Sequence, residues 1–317
     1  MATTPETQES VAEVRARLLA LRRDTGMSWR RLAEQSGVPD GTLSQFGSGT
    51  YGGDNLRVAA EVRRFLDGRA ALALLKTGDL QAPDFLETPT ARRILTLFKW
   101  AQTGEIVAIA AGPGTGKTTA ALEYQAMAPN VWVATMSPSV SGVQPMQLAV
   151  LLAMGTTDAK GSPLQLSARV LAKVRGSGGL IIIDEAQELS EKALDEIRSW
   201  HDKTGIGIAL VGDERVIGRL GGIRRAELAR LHSRVSMRHV QAHPEQADAQ
   251  MLVEGWGITE PGQQRFLTGL ARKPGGLRGI AKTIKLASMM AAGEGRPVTL
   301  ADLQEAWSQR NTETMGA

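Results

Sequence analysis

Apolar residues follow three different patterns along the chain. Residues 11–66 place them at the spacing of short amphipathic helices. From residue 105 to about residue 240, continuous apolar runs alternate with amphipathic segments, and this alternation predicts a parallel sheet with helices on both faces. From residue 244 to about residue 310 the spacing is helical again. The sequence therefore predicts an α/β core between two all-α units.

The middle pattern predicts individual strands and helices. The predicted strands are residues 106–110, 131–136, 180–184, 206–211 and 235–240. The predicted helices between them are residues 117–128, 145–154, 164–174, 191–204 and about 224–231. A further helix begins with Thr88 as its N-cap and Pro89 in its first turn. The polar segment 76–84, which contains Gly and Pro, predicts a linker, so the expected domains are residues 1–75, 85–241 and 242–317.

Two of the N-terminal helices form a distinctive pair. Ser28 caps the first helix, Gly37 makes the turn, and residues 42–46 form the second helix. The pair resembles a repressor-type helix-turn-helix, a family whose second helix enters the major groove of DNA. The resemblance implies DNA contacts from Thr42, Ser44 and Gln45, with Arg30 and Arg31 nearby. A protein-docking or purely structural role is the alternative, because the second helix carries no basic residue.

Composition narrows the functional classes. The chain has 317 residues, which is long enough for two or three compact units. Of these residues 42% are hydrophobic and 22% are charged, as in globular proteins. It has no cysteine, which excludes disulfides and thiolate metal sites and fits a cytoplasmic location. Because the N-terminus is polar, we expect no signal peptide. Because no apolar run is long enough, we expect no membrane span. The net charge of +4 permits binding to nucleic acid without requiring it.

Arginines are concentrated around the last predicted strand. Within residues 215–240 the single acidic residue is Glu227, and the arginines are Arg215, Arg219, Arg224, Arg225, Arg230, Arg234 and Arg238. A guanidinium group binds two phosphate or carboxylate oxygens at once. This segment therefore indicates recognition of phosphate or carboxylate groups at an interface.

A glycine-rich loop joins the first predicted strand to the helix that follows. Its sequence is Gly112-Pro113-Gly114-Thr115-Gly116-Lys117-Thr118-Thr119, with Ala111 where the phosphate-loop pattern usually has its first glycine. Glycines allow the backbone N–H groups to turn toward a phosphate, and the helix start adds its positive dipole end. Lys117 is placed to reach the β- and γ-phosphates and Thr118 to ligate Mg²⁺. The loop predicts a nucleotide site; the alternative is an ordinary glycine turn before a helix.

Two carboxylates end the third predicted strand. Asp184 and Glu185 follow an apolar, β-branched run that is typical of a buried parallel strand. At the carboxyl end of such a strand, we expect Asp184 to hold Mg²⁺ through water and Glu185 to polarise the water that attacks the γ-phosphate. A solvated acidic turn is the alternative.

A third carboxylate, Asp213, follows the predicted strand 206–211. A polar side chain at that position can orient the attacking water. Asp213 also adds a negative charge near Glu185, and like charges at short range favour protonation of one of them. Either Asp213 points away or the catalytic step is slowed or retuned. A helix-capping role is the alternative.

The C-terminal helices contain a glycine turn that precedes an arginine, Lys273-Pro274-Gly275-Gly276-Leu277-Arg278. Arg278 stands at a helix start, from which it could fold back onto a bound nucleotide. A solvated helix-terminal charge is the alternative. The residues expected to form a small core in this part are Leu267, Leu270, Ile280, Ile284, Leu286, Leu303 and Trp307.

Together these motifs resemble an AAA+ ATPase and, more closely, the phage Mu transposition protein B family. The segments that carry the resemblance are the helix-turn-helix with residues 48–55, the phosphate loop, and residues 131–138, 180–186, 229–234 and 273–278. They extend over nearly the whole chain. The resemblance implies an α/β P-loop NTPase core with a helical lid, and ATP-dependent helical oligomers on double-stranded DNA that bind without sequence preference. It also implies that the protein selects the target for a DDE transposase and recruits and activates that transposase. The transposase in turn is expected to stimulate hydrolysis of ATP.

The same resemblance implies further residue roles. The family pattern places a Ser-Arg pair before the last strand, so we expect Arg234 to reach the γ-phosphate of a neighbouring protomer, with Arg230 as the runner-up. The loop after the second strand is expected to lie along the DNA backbone through Ser137, Ser139 and Ser141. Two other classes stay open: a helicase-loader-like ATPase, and a helix-turn-helix transcriptional regulator in which the nucleotide acts as a switch.

Overall fold

The computed structural model describes residues 10–76, 83–220, 231–293 and 296–310. Contacts between residues group the chain into two compact units. One comprises Met1–Asp79 with Ala291–Arg296, and the other comprises Leu80–Met290 with Pro297–Ala317. Within the described residues, no helix has both the length and the apolar character needed to cross a bilayer.

The N-terminal unit is all-helical in its described part. Its helices are α1 (Val11–Thr25), α2 (Trp29–Ser36), α3 (Asp40–Ser48) and α4 (Asn55–Lys76). The Ser28 hydroxyl accepts a hydrogen bond from the Arg31 N–H at the start of α2, and Gly37 ends α2 with a φ of +76°, which glycine adopts without strain. The helix pair expected from the sequence is therefore present as α2 and α3. Helix α3 begins two residues earlier than predicted.

The interior of this unit explains the close approach of α2 and α3. Gly47 lies against the ring of Trp29, and a Cβ atom at residue 47 would stand 2.3 Å from Trp29 Cη2. The side chains buried completely in this interior include Val14, Leu18, Leu32, Leu43, Phe46 and Val62. The helical spacing of apolar residues in this unit ends at Leu66, whereas α4 continues to Lys76.

The second unit is built on a parallel sheet. Its strands are β1 (Ile106–Ala111), β2 (Val131–Thr135), β3 (Leu180–Asp184), β4 (Gly207–Gly212) and β5 (Val235–Gln241). The helices that alternate with them are α5 (Pro89–Gln102), α6 (Lys117–Met127), α7 (Val143–Ala153), α8 (Pro163–Val174), α9 (Glu191–Thr204) and α10 (Glu214–Leu220). Every predicted strand is confirmed to within one residue at each end. Helix α10 was not predicted, and the helix predicted over about 224–231 lies outside the described residues except at its last position.

The strand order determines which loops meet. The sheet has the order β2-β3-β4-β1-β5, and each neighbouring pair is parallel. Strand β4 therefore lies between β1 and β3, and the carboxyl ends of these three strands share one edge. All three strands are buried along their whole length, because alternate side chains pack against α7, α8 and α9 on one face and against α5 and α6 on the other.

The C-terminal helices belong to the same unit as the sheet, except for residues 291–293 at the end of the third of them. They are α11 (Gln246–Gly255), α12 (Pro261–Gly269), α13 (Gly276–Gly293) and α14 (Leu300–Arg310). The predicted core residues of this part are buried or packed against buried residues. The carboxylate of Asp248, on α11, accepts hydrogen bonds from the Thr90 N–H at 2.9 Å and from the Thr90 hydroxyl at 2.5 Å. This buried contact ties the start of α11 to the start of α5.

Candidate functional site

The glycine-rich loop after β1 has the shape of an anion cradle. Gly114 and Gly116 have φ angles of +75° and +90°, which L side chains rarely adopt. The Thr115 hydroxyl donates to the Gly112 carbonyl at 2.9 Å and closes the loop internally. Lys117 begins α6 and is 9% exposed. The loop therefore holds its turned backbone and its lysine in place at a helix N-terminus, where anions bind.

Two of the loop glycines also lie against other parts of the unit. A Cβ atom at Gly112 would stand 2.0 Å from the carbonyl oxygen of Ala242, and one at Gly114 would stand 1.9 Å from that of Gly275. The Gly114 carbonyl accepts a hydrogen bond from the Leu277 N–H at 2.9 Å. These glycines are therefore required by packing against the end of β5 and the start of α13, in addition to any contact with phosphate.

We expect Gly114→Ala to destabilise the protein in the absence of nucleotide, because the new methyl group meets a backbone carbonyl that cannot rotate away. The expected loss is about 1–3 kcal/mol. Gly116→Ala is the matched control, since it has a similar positive φ but no atom within 4 Å of the new Cβ. Thermal unfolding should place Gly114→Ala clearly below Gly116→Ala, and equal midpoints would contradict the packing explanation.

Asp184 and Thr118 meet beside this loop. The Thr118 hydroxyl donates to Asp184 Oδ2 at 2.8 Å, although the two residues are 66 positions apart. Asp184 is 1% exposed. Burial raises the pKa of Asp184 above its ordinary value, while the hydrogen bonds from Thr118 and from the Glu185 N–H lower it in part. A cation held between these groups would favour the ionised carboxylate.

Glu185 has an unusual backbone at the end of β3. Its φ is +55°, a left-handed conformation that costs energy for a residue with a side chain and persists only where the surroundings hold it. The Gln187 amide donates a hydrogen bond to Glu185 Oε2. The neighbouring turn, Ala186–Glu188, is a single 3₁₀ turn. Glu185 is half-buried and follows β3 at the edge shared by β1, β3 and β4.

Asp213 is paired with an arginine. Nε of Arg215 donates to both carboxylate oxygens, at 3.1 and 2.9 Å, and the same guanidinium lies 3.4 Å from Glu188 Oε1. Burial on its own raises the pKa of Asp213, but the hydrogen bonds and charge of Arg215 outweigh it and leave that pKa below the ordinary value. Asp213 is therefore ionised and neutralised by Arg215, which supplies the counter-charge that the sequence left unassigned.

A cleft of about 290 Å³ opens beside the loop. One wall is polar and consists of residues 114–119 with Arg278. The other wall is largely apolar and includes Phe85, Leu86, Ala91, Leu252, Leu277 and Ala281. An apolar wall fits a nucleobase, and turned N–H groups with a lysine and an arginine fit a polyphosphate. The predicted position of Arg278 at a helix start beside the loop agrees with this lining.

The described residues contain no group of three or more His, Asp or Glu side chains that could hold a metal ion. Mg²⁺ usually keeps several water ligands and shares phosphate oxygens with one or two protein groups. The pair formed by Thr118 and Asp184 fits such a partial ligand set.

Arg234 lies at the end of the helical residues 231–234, just before β5. Its Nε is 3.3 Å from Asp202 Oδ1, and its side chain is 56% exposed. The nearby Arg238 donates to the His232 carbonyl at 3.1 Å. Arg224, Arg225 and Arg230 lie outside the described residues, as does the side chain of Arg219.

The predicted DNA contacts lie in two separate places. In the loop after β2, the hydroxyls of Ser137 and Ser139 are 2.9 Å apart, and the Ser141 carbonyl accepts from the Ser190 N–H at 2.8 Å. In the N-terminal unit the predicted contacts are Arg30, Arg31 and Gln45, which are exposed, and Thr42 and Ser44, which are half-buried. An ion pair joins Arg30 to Glu34 at 3.4 Å.

The sequence of the chain is similar to those of known proteins. Residues 101–220 match the family described as AAA domain, and residues 233–309 match the family described as Mu B transposition protein, C terminal. The chain is 34% identical over 302 residues to the ATP-dependent target DNA activator B of Escherichia phage Mu, which covers 95% of this chain and 96% of the relative. The chain belongs to the Mu B transposition protein family.

A second Mu B relative is the Mu-like prophage FluMu DNA transposition protein B of Haemophilus influenzae. It is 34% identical over 264 residues, which cover 82% of this chain and 91% of the relative. Among solved structures, the chain resembles one described as Drosophila ORC bound to DNA, with a TM-score of 0.51 and 13% identity over 77% of this chain and 66% of that chain. At that identity the likeness shows the fold alone.

The site of this Mu B family member contains residues that the sequence motifs did not reveal. Gln187 and Arg215 contact the two carboxylates after β3 and β4. One sequence feature related to Gln187 is Gly212, a glycine that ends a buried strand. A Cβ atom there would stand 2.1 Å from Gln187 Oε1.

Proposed function

We propose that this chain is an ATPase that binds duplex DNA in an ATP-dependent manner, oligomerises on it, and selects the target for a DDE transposase. The observation that carries the proposal is the 34% identity over 95% of the chain to a protein named ATP-dependent target DNA activator B. The phosphate-binding loop and the acidic residues beside it supply the groups that such an ATPase requires. We infer that the activity belongs in the cytoplasm of a bacterial host, where the proposed DNA and transposase partners would be found.

For hydrolysis, the chain's own residues divide the work. Lys117 and the turned N–H groups of the loop bind the phosphates, and Arg278 binds the nucleotide from the start of α13. Thr118, and Asp184 through water, would hold Mg²⁺, which would supply positive charge to offset the negative charge on the phosphate oxygens. Glu185 accepts the proton of the attacking water as general base. Asp213, in its ion pair with Arg215, orients that water.

For DNA binding, we assign the main contacts to phosphate rather than to bases. The Ser137–Ser141 loop offers hydroxyl and N–H groups, which bind phosphate oxygens without reading sequence. Oligomerisation would place many copies of this loop along the duplex. The N-terminal residues Arg30, Arg31, Thr42, Ser44 and Gln45 form a second proposed contact with DNA.

We expect affinity for duplex DNA to fall steeply with salt and to vary little among unrelated sequences. A protein that neutralises 6–10 phosphates with Lys or Arg loses about 10³–10⁵ in affinity between 50 and 200 mM salt, and Arg30 and Arg31 are the proposed contacts that carry this charge in each copy. Replacing Ser137 and Ser139 together by Ala should weaken DNA binding while leaving ATP binding unchanged, because the loop is separate from the residues that line the nucleotide cleft. Fluorescence anisotropy with random duplexes, with and without ATP, measures both effects.

The same assay separates the proposal from its alternatives. A helicase-loader-like ATPase would prefer single-stranded DNA, and a transcriptional regulator would bind one operator sequence far more tightly than random duplexes. Binding that is unaffected by the removal of ATP would also contradict the proposal.

A further inference from the structure

The Gln187 side chain joins two of the strand ends that form the site. It is 3% exposed, and both the nitrogen and the oxygen of its amide form hydrogen bonds. Nε2 donates to Glu185 Oε2, and Oε1 accepts from the Asp213 N–H at 3.3 Å. The reverse orientation would set the amide oxygen against a carboxylate and the NH₂ group against an N–H, so the partners themselves fix the orientation. The amide therefore connects the end of β3 to the residue that follows β4.

Gly212 makes room for this connection. A Cβ atom there would lie 2.1 Å from Gln187 Oε1 and 2.6 Å from Val216 Cγ2. The φ of Gly212 does not lie in the left-handed region, so its backbone does not demand glycine. Glycine is required at residue 212 because the Gln187 amide and Val216 leave no space for a Cβ atom. Two separate features, a buried amide and a strand-ending glycine, thus serve the same contact.

The residue held by this contact is under strain. Glu185 has a φ of +55°, and such a conformation is maintained only by its surroundings. Its carboxylate also has three rotatable side-chain bonds, so the backbone alone does not fix the position of Oε2. The hydrogen bond from Gln187 supplies that restraint from a buried, doubly anchored group.

We propose that Gln187 is a positioning residue, which fixes the Glu185 carboxylate in the orientation needed for general-base catalysis. This inference rests on the proposed ATPase function. A catalytic group displaced by about 1 Å loses up to about 100-fold in rate. The nucleotide cleft is lined by other residues, so loss of Gln187 should reduce turnover without weakening nucleotide binding.

Two substitutions at residue 187 separate its two hydrogen bonds. Gln187→Met has a similar length but no donor, and its sulfur is only a weak acceptor. Gln187→Glu keeps an oxygen for the Asp213 N–H but cannot donate to Glu185. We expect both variants to lose about 10- to 100-fold in kcat, with KM and affinity for a non-hydrolysable ATP analogue unchanged. Gly212→Ala should show the same kinetic pattern without altering residue 187.

The matched control is Gln125→Met. Nε2 of Gln125 donates to the Val131 carbonyl at 3.2 Å, and this glutamine is absent from the lining of the cleft. We expect its kcat to equal that of the parent protein. Thermal unfolding of all variants shows whether each of them is folded.

The deciding test combines Gln187→Met with Glu185→Gln and measures single-turnover hydrolysis. If Gln187 acts through Glu185, the double variant is no slower than Glu185→Gln alone. A further loss in the double variant would indicate a general structural role and overturn the inference, as would unchanged or increased kcat in Gln187→Met. Full activity of Glu185→Gln would instead contradict the proposed function, so the two failures are distinguishable.

Discussion

Glu185→Gln should bind ATP normally and hydrolyse it about 10²–10⁴ times more slowly than the parent protein. The substitution preserves the size of the side chain but removes its capacity to accept a proton from water. Binding should survive because the loop, Lys117 and the Thr118–Asp184 pair remain in place. Phosphate release measures turnover, and equilibrium binding of a fluorescent ATP analogue measures affinity.

Glu188→Gln is the matched control for this experiment. Glu188 lies three residues further along the chain, is half-buried, and has its Oε1 3.4 Å from the Arg215 guanidinium. We expect it to keep most of the activity. Hydrolysis by Glu185→Gln at the parent rate would remove Glu185 from the role of general base.

Arg234→Ala should lose about 10³–10⁵ in the rate of hydrolysis by DNA-bound oligomers. A guanidinium from a neighbouring protomer can hold two phosphate oxygens and offset the charge that develops on them. Within one chain Arg234 contacts Asp202, but both side chains are partly exposed. An ion pair of that kind contributes up to about 1 kcal/mol. The Arg234 side chain can therefore leave Asp202 and contact the nucleotide bound to a neighbouring protomer.

Mixing two inactive variants tests whether Arg234 acts between protomers. In oligomers that contain both Arg234→Ala and Glu185→Gln, some interfaces combine an intact Glu185 with an intact Arg234, so activity should partly return. Arg238→Ala is the control, since Arg238 is an exposed arginine four residues away that bonds to the His232 carbonyl. A mixture that co-assembles on DNA without recovering activity would contradict a role in trans.

Parts of this site could be predicted because they depend on strand ends. A short apolar, β-branched run such as residues 180–183 is typical of a buried strand, and parallel strands bring their carboxyl ends to one edge. The meeting of Thr118 with Asp184 follows from that rule once β1 and β3 belong to the same sheet. The order of the strands then places Asp213 between them.

Other parts depend on contacts that leave no periodic signal. Nothing in the spacing of Asp213 and Arg215 indicates that the arginine folds back onto the carboxylate. The packing demands on Gly112 and Gly114 come from Ala242 and Gly275, more than 120 positions further along the chain. Sequence patterns identify such glycines as loop residues, but only the fold shows which backbone they approach.

Helix α10 was missed for a local reason. It has seven residues and includes Gly218, so it is too short to show a clear helical period, and glycine is unfavourable within helices. Its start depends on Asp213, whose carboxylate accepts from the Arg215 N–H at 2.9 Å. From the sequence alone, that capping role is the alternative to a catalytic one.

Electron microscopy of the protein with duplex DNA and a non-hydrolysable ATP analogue tests the central claim most directly. The proposed function predicts continuous protein-coated duplexes of unrelated sequence when the analogue is present. It predicts bare DNA when nucleotide is omitted or when Lys117→Ala removes the phosphate-binding lysine. Isolated particles at one sequence, or equal coating with and without nucleotide, would contradict an ATP-dependent oligomer on target DNA.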